Sequence, residues 1–94
     1  MTKRYEVFKP HVVGDPRVGF SVLDRTKVCE IEVVADELQE ASIIKALASY
    51  EVVPSDAVKH VWKYSVEVSD HGFEVIHSDF GVPVAYLVPM GDDL

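Results

Sequence analysis

Hydrophobic and polar positions alternate with a period of two along most of the chain, and this pattern predicts strands. Tyr5 to Val13 reads as a first strand, with Tyr5, Val7 and Lys9 on one face and Glu6, Phe8 and Pro10 on the other. Pro10 has no N–H to give a neighbour, so this strand, or its second half, belongs at a sheet edge. Gly14-Asp15-Pro16-Arg17 is a turn signal. Val18 to Asp24 follows as a second strand, with Val18, Phe20 and Val22 on one face. Arg25-Thr26-Lys27 has the length of a hairpin connection. Val28 to Val34 is then a third strand, where Cys29, Ile31 and Val33 alternate with Glu30 and Glu32.

The period then changes. Asp36 is a good N-cap, with Gln39 three residues on as in a capping box. Glu37 and Glu40 fall in the first turns, where the helix dipole favours acids. Leu38, Ala41, Ile44, Leu47 and Ala48 form an apolar stripe at helical spacing. The helix should end near Tyr50, since Val52-Val53-Pro54 favours extended backbone. Ser55 to Val58 can cap one short helical turn. Val61 to Ser69 returns to alternation, with Trp62, Tyr64, Val66 and Val68 reading as core-facing. Asp70-His71-Gly72 turns the chain into Phe73 to His77, and Ser78 to Gly81 turns it again. Val82 to Val88, interrupted by Pro83, is the last strand, and 90–94 reads as a loose tail.

The predicted order is β-β-β-α-β-β-β. This is a single α+β domain over residues 1–94: an antiparallel sheet of five to six strands with one main helix packed on one face. A single helix covers one sheet face. Val28, Val34 and Ile76 put apolar side chains on the other, where sheet curvature, a second subunit or a partner would cover them.

Composition supports the strands: 18 of 94 residues are valine, whose stiff branched side chain suits a pleated surface. No apolar stretch approaches ~20 residues, so no membrane span is expected. The basic N-terminus MTKRYEVFKP has no apolar run behind it, so no secretory leader is expected and the cytoplasm is the expected location. Cys29 is the single cysteine, which excludes an internal disulfide and an all-cysteine zinc site.

Charge changes the picture more. The net charge is −7, but residues 1–27 carry six basic against three acidic residues, and residues 28–94 three basic against thirteen acidic. An acidic chain is poorly suited to neutralising phosphates, so direct nucleic-acid binding is disfavoured. With no Asn and a single Gln, bidentate adenine reading has almost no material. The same charge favours encounter with a basic surface.

Candidate chemistry is sparse. Gly14 to Gly19 superficially matches a phosphate loop, but Phe20 and Ser21 stand where Lys and Ser or Thr are needed, and a strand follows. Cys29 alternates with Ile31 and Val33 and reads as a small core residue. His77 and Asp79, with His71 nearby, could hold a divalent metal, yet their spacing matches no metal motif. Glu30 and Glu32 share one strand face, followed by Glu37 and Glu40 and joined across the sheet by Glu67 and Glu74. Paired carboxylates can cleave glycosides, but that needs a deep cleft, which one helix on one sheet does not supply. These six glutamates therefore read as a solvated or docking surface.

The resulting expectation is a small acidic protein-binding module without cofactor or metal, read as a binder ahead of an enzyme. It would be an inhibitor or regulator covering a basic, nucleic-acid-binding surface on a partner. Small phage-encoded inhibitors have this general size and charge, an analogy and not a sequence match. The second reading is a homodimer joined through edge strands or an open sheet face. The third is a small enzyme or metal protein built on His71, His77 and Asp79.

Overall fold

A computed structural model describes residues 2–15, 17–34, 39–70, 72–79 and 81–90. Five strands, β1 (Thr2–Asp15), β2 (Gly19–Val34), β3 (Tyr64–Ser69), β4 (Gly72–His77) and β5 (Val82–Pro89), form one sheet in the order β2-β1-β5-β4-β3. All four pairings are antiparallel. One helix, α1 (Gln39–Ser49), and a stretch of 3₁₀ turns over Ser55–Lys63, broken at His60, lie between β2 and β3. The mostly-sheet α+β class follows from the alternation and the valine content.

The sequence pattern splits the first 34 residues into three strands, and the structure corrects this to two. β2 runs straight through Arg25-Thr26-Lys27, which pair with Pro10, Lys9 and Phe8. The physical reason is that no residue in Arg-Thr-Lys readily takes the positive φ that a tight hairpin needs. The irregularity there is a bulge instead: Val28 is the extra residue, between Cys29 opposite Val7 and Lys27 opposite Phe8. The turn between β1 and β2 lies at Asp15–Val18, where the Val18 and Arg17 N–H groups donate to the Asp15 carbonyl and carboxylate at 3.0 and 2.9 Å. Gly14 (φ 102°) is required there, because a Cβ would stand 2.7 Å from the Gly19 carbonyl oxygen.

β1 and β5 pair over only four residues, Tyr5 to Phe8 against Pro89 to Tyr86. Beyond that seam β1 continues with β2 alone, and β5 with β4 alone. Of the three strand prolines, Pro10 beyond Phe8 and Pro83 beyond Tyr86 sit in these one-neighbour stretches, while Pro89 is the last residue of β5, opposite Tyr5. At Pro10 and Pro83 the missing N–H therefore leaves no ladder bond unmade, which is why these two are tolerated inside strands.

The core lies on one side of the sheet. Tyr5, Val7, Ile31, Val33, Val75, Ala85 and Leu87 pack against Ile43, Ile44, Leu47 and Ala48 of α1, with Val53 and Ala57 closing one end. The buried stripe of α1 is thus centred on Ile43 and Leu47, while Ala41 of the expected stripe is exposed. Leu38 and the Asp36 cap fall outside the described residues. The helix ends as predicted near Tyr50. Val52 N–H donates to Leu47 C=O and Glu51 N–H to Ala48 C=O, both at 3.0 Å, while Glu51 takes φ 61°. This is a Schellman-type end with glutamate where glycine is usual.

The other correction concerns Val61 to Ser69. The strand begins only at Tyr64, and Trp62 lies in the 3₁₀ stretch, 71% exposed, with the Lys63 ammonium 5.5 Å from its ring. Val68, near the end of the outer strand β3, is also exposed. Of the expected tail, only Met90 is described, and its N–H donates to the Arg4 carbonyl at 3.0 Å.

Candidate interaction surface

The sheet face turned away from α1 is built by the residues that alternate with the core positions. On β1 these are Arg4, Glu6 and Phe8, and on β2 their partners Glu32, Glu30 and Lys27. Val88 and Tyr86 of β5 stand opposite Glu6 and Phe8. Glu74 of β4 stands opposite Tyr86, and Glu67 of β3 opposite Glu74. Five carboxylates and three cations (Arg4, Lys27 and Arg25) thus share one face with the half-buried Phe8, Ile76 and Val88.

The two ends of this face differ electrically. At the β2 end the charges neutralise one another. Lys27 Nζ donates to Glu6 Oε2 and to Glu30 Oε2, each at 2.9 Å. Arg4 Nη2 donates to Glu30 Oε1 at 3.3 Å, and Arg4 Nε lies 4.0 Å from Glu32 Oε2. The hydrogen bonds to Glu6 and Glu30 raise the Lys27 ammonium above its ordinary pKa. The hydrogen bond from Lys27, then its charge and that of Arg4, hold the Glu30 carboxyl below its ordinary value.

In the middle, the Arg25 guanidinium sits 4.0 Å from the centroid of the Tyr86 ring. Tyr86 is only 9% exposed although it belongs to the uncovered face. Burial, and then the Glu74 charge, push its hydroxyl pKa up. At the β3–β4 end, Glu67 and Glu74 face each other across neighbouring strands, and neither has an ion-pair partner among the described residues. Like charges directly opposite in a sheet repel, so this end carries an unneutralised carboxylate pair.

Of the six glutamates singled out in the sequence, the structure places Glu30, Glu32, Glu67 and Glu74 on this one face. Glu40 is exposed on α1, on the opposite side of the sheet, and Glu37 lies outside the described residues. Sequence reasoning missed Glu6, Arg4 and Arg25. Arg4 and Glu6 were visible in the alternation with Tyr5 and Val7, whereas Arg25 was hidden by reading its segment as a turn.

The remaining candidates are placed as follows. The His77 Nδ1 accepts the Asp79 N–H at 3.3 Å and lies 4.0 Å from its Oδ2, within the turn after β4. His71 lies outside the described residues, and among those described no three His, Cys, Asp or Glu side chains gather as a metal-binding group. Cys29 is half-buried against the core, where desolvation raises its thiol pKa and keeps it in the unreactive thiol form. An open groove of about 1250 Å³ wraps the free edge of β2, lined on the helix side by Ile31, Lys45, Ala46 and Tyr50 and reaching Lys27 and Glu30 of the other face.

The fold and this face define an α+β domain with a one-sided sheet. Comparison with protein-family models, with curated proteins and with solved structures finds no match. Among the described residues no helix is long and apolar enough to cross a membrane.

Proposed function

We propose that this chain is a protein-binding module, an inhibitor or regulator that docks the helix-free face of its sheet onto a basic surface of a partner. A surface of that charge is the kind by which a protein holds nucleic acid, so docking would occlude it. The observation that carries this reading is the cross-strand pair Glu67 and Glu74, left without a cation beside the half-buried Ile76 and Val88. A lysine or arginine of a partner placed between the two carboxylates relieves their repulsion, and apolar contact beside it supplies affinity. Glu30 and Glu32 contribute less, because Arg4 and Lys27 already satisfy them.

The test is retention of partners from a native lysate by the immobilised chain and by a Glu67→Lys/Glu74→Lys variant. The expected result is a set of basic, nucleic-acid-binding proteins that elute with salt as screening lengths shrink below about 5 Å. These should be absent from the variant and should release their nucleic acid when the free chain is added. Equal retention by both chains would remove the proposal.

A further inference from the structure

The charges of β2, at the opposite end of the face from Glu67 and Glu74, form a pattern of their own. Along β1, Arg4, Glu6, Phe8 and Pro10 are alternate residues of one strand, and opposite them stand Glu32, Glu30, Lys27 and Arg25. The bulge at Val28 keeps these four β2 residues in step, so they share one sheet face and one hydrogen-bonding phase. Read along β2 they run plus, plus, minus, minus, with the midpoint between Val28 and Cys29. A strand of this kind is its own complement when it meets a reversed copy of itself.

β2 is also the outer strand of the sheet on that side, 16 residues long, with no neighbour beyond it among the described residues. Its outward N–H and C=O groups form a template for another strand. The space beside that edge is open: the groove between β2 and α1 is flanked on the helix by Ser42, Ala46 and Ser49, with the exposed Lys45 and Tyr50 beside them.

We propose that the free edge of β2 pairs antiparallel with the same edge of a second copy of this chain, about a two-fold axis normal to the sheet between Val28 and Cys29. Lys27 of each copy then stands opposite Glu30 of the other, and Arg25, on leaving the Tyr86 ring over which it lies in the single chain, opposite Glu32, giving four cross-subunit ion pairs about one axis. Ile31 meets Thr26 on the helix side. Both α1 helices lie on the same face of the resulting continuous sheet, on either side of the axis, and turn Lys45 and Tyr50 as well as Ser42, Ala46 and Ser49 toward the space between them. The register is selective. Centring the axis on Glu30, Ile31 or Glu32 instead sets carboxylate opposite carboxylate. The present ion pairs of Lys27 with Glu6 and of Arg4 with Glu32 persist alongside the new ones, since each cation has further donors to offer.

The charge pattern supplies its own test. Sedimentation of the full chain over about a hundredfold range of concentration should show a monomer–dimer equilibrium. Lys27→Glu and Glu30→Lys should each raise the dimer dissociation constant by roughly tenfold or more, since each puts like charges opposite across the axis. An equimolar mixture of the two variants should recover the dimer as a heterodimer, in which every pair is again of opposite sign. A purely structural effect of either substitution does not produce that rescue. Independently of any variant of these charges, hydrogen exchange of the wild-type chain should show the backbone amides of Lys27 and Glu30 on the free edge of β2 gaining protection as the concentration rises, and amides indifferent to concentration would count against the pairing. A wild-type chain that stays monomeric throughout, single variants that dimerise like the wild type, or a mixture no tighter than its components would each overturn the proposal.

Discussion

Replacing Glu67 by lysine should make the protein more stable and at the same time worse at docking. Glu67 and Glu74 stand directly opposite on β3 and β4, and neither is offset by a cation of the described chain. At the ~5 Å spacing general for side chains directly opposite in a sheet, two unit charges repel by about 0.8 kcal/mol in bulk water. Salt near physiological strength removes roughly half of that at this separation. Lysine at position 67 replaces this repulsion by an attraction of similar size, so the swing is about 0.5–1 kcal/mol, as expected for an exposed pair. Lysine and glutamate have similar strand propensities, so little else changes. For a domain of this length the gain corresponds to roughly 2–8 °C in Tm. The assay is thermal unfolding followed by circular dichroism at low and high salt, with Glu67→Gln alongside. Glutamine removes the repulsion without adding attraction and should give about half the gain. The increments should shrink as salt rises. In parallel, association with a basic partner should slow, because the approach is now between like charges. A residue whose replacement strengthens the fold and weakens binding is one retained for binding. A Glu67→Lys protein with unchanged or lower Tm, or a gain indifferent to salt, would refute this account of the face.

Two further outcomes follow from geometry already described. Glu51 holds φ 61° at the C-terminal end of α1, a region that costs a residue with a Cβ about 1–2 kcal/mol. Glu51→Gly relieves this but loosens the unfolded chain, so a net gain of about 0.5–1 kcal/mol is expected in urea unfolding, with Glu51→Ala giving none. The Glu30 carboxyl titrates below its ordinary range because of Lys27, so its contribution to stability is present above the unfolded carboxyl pKa. That contribution is lost as the pH falls through the lower folded value. Tm measured against pH should therefore fall less steeply on the acid side for Glu30→Gln than for the wild type.

The one-sided sheet was legible because alternation fixes faces locally: Cys29, Ile31 and Val33 against Glu30 and Glu32 needed no knowledge of the rest of the chain. The position of Pro10 was legible for the same reason, since a missing N–H constrains the neighbour count wherever the strand goes. What periodicity could not show was where a strand bends instead of turning. Arg25-Thr26-Lys27 is polar enough for a loop, and only pairing with Lys9 and Pro10 across the bulge makes it strand. Trp62 failed for a related reason. Its alternation with Tyr64 is genuine, but the 3₁₀ turns reach Lys63 and rotate Trp62 away from the core. At the candidate face, Glu67 and Glu74 were recognisable as strand glutamates. That they stand opposite each other without a counter-charge is a property of register, which depends on the β3–β4 turn and not on composition.

The four-residue seam between β1 and β5 joins two units that are otherwise local: the long β1–β2 hairpin, and the β3–β4–β5 meander. Each can zip from its own turn in microseconds, whereas the seam must bring together partners such as Phe8 and Tyr86, roughly eighty residues apart in the chain. Its closure is therefore the step expected to be slow on the way to the native state. A blemish in those few rungs delays folding of the whole molecule more than an equal blemish in either half.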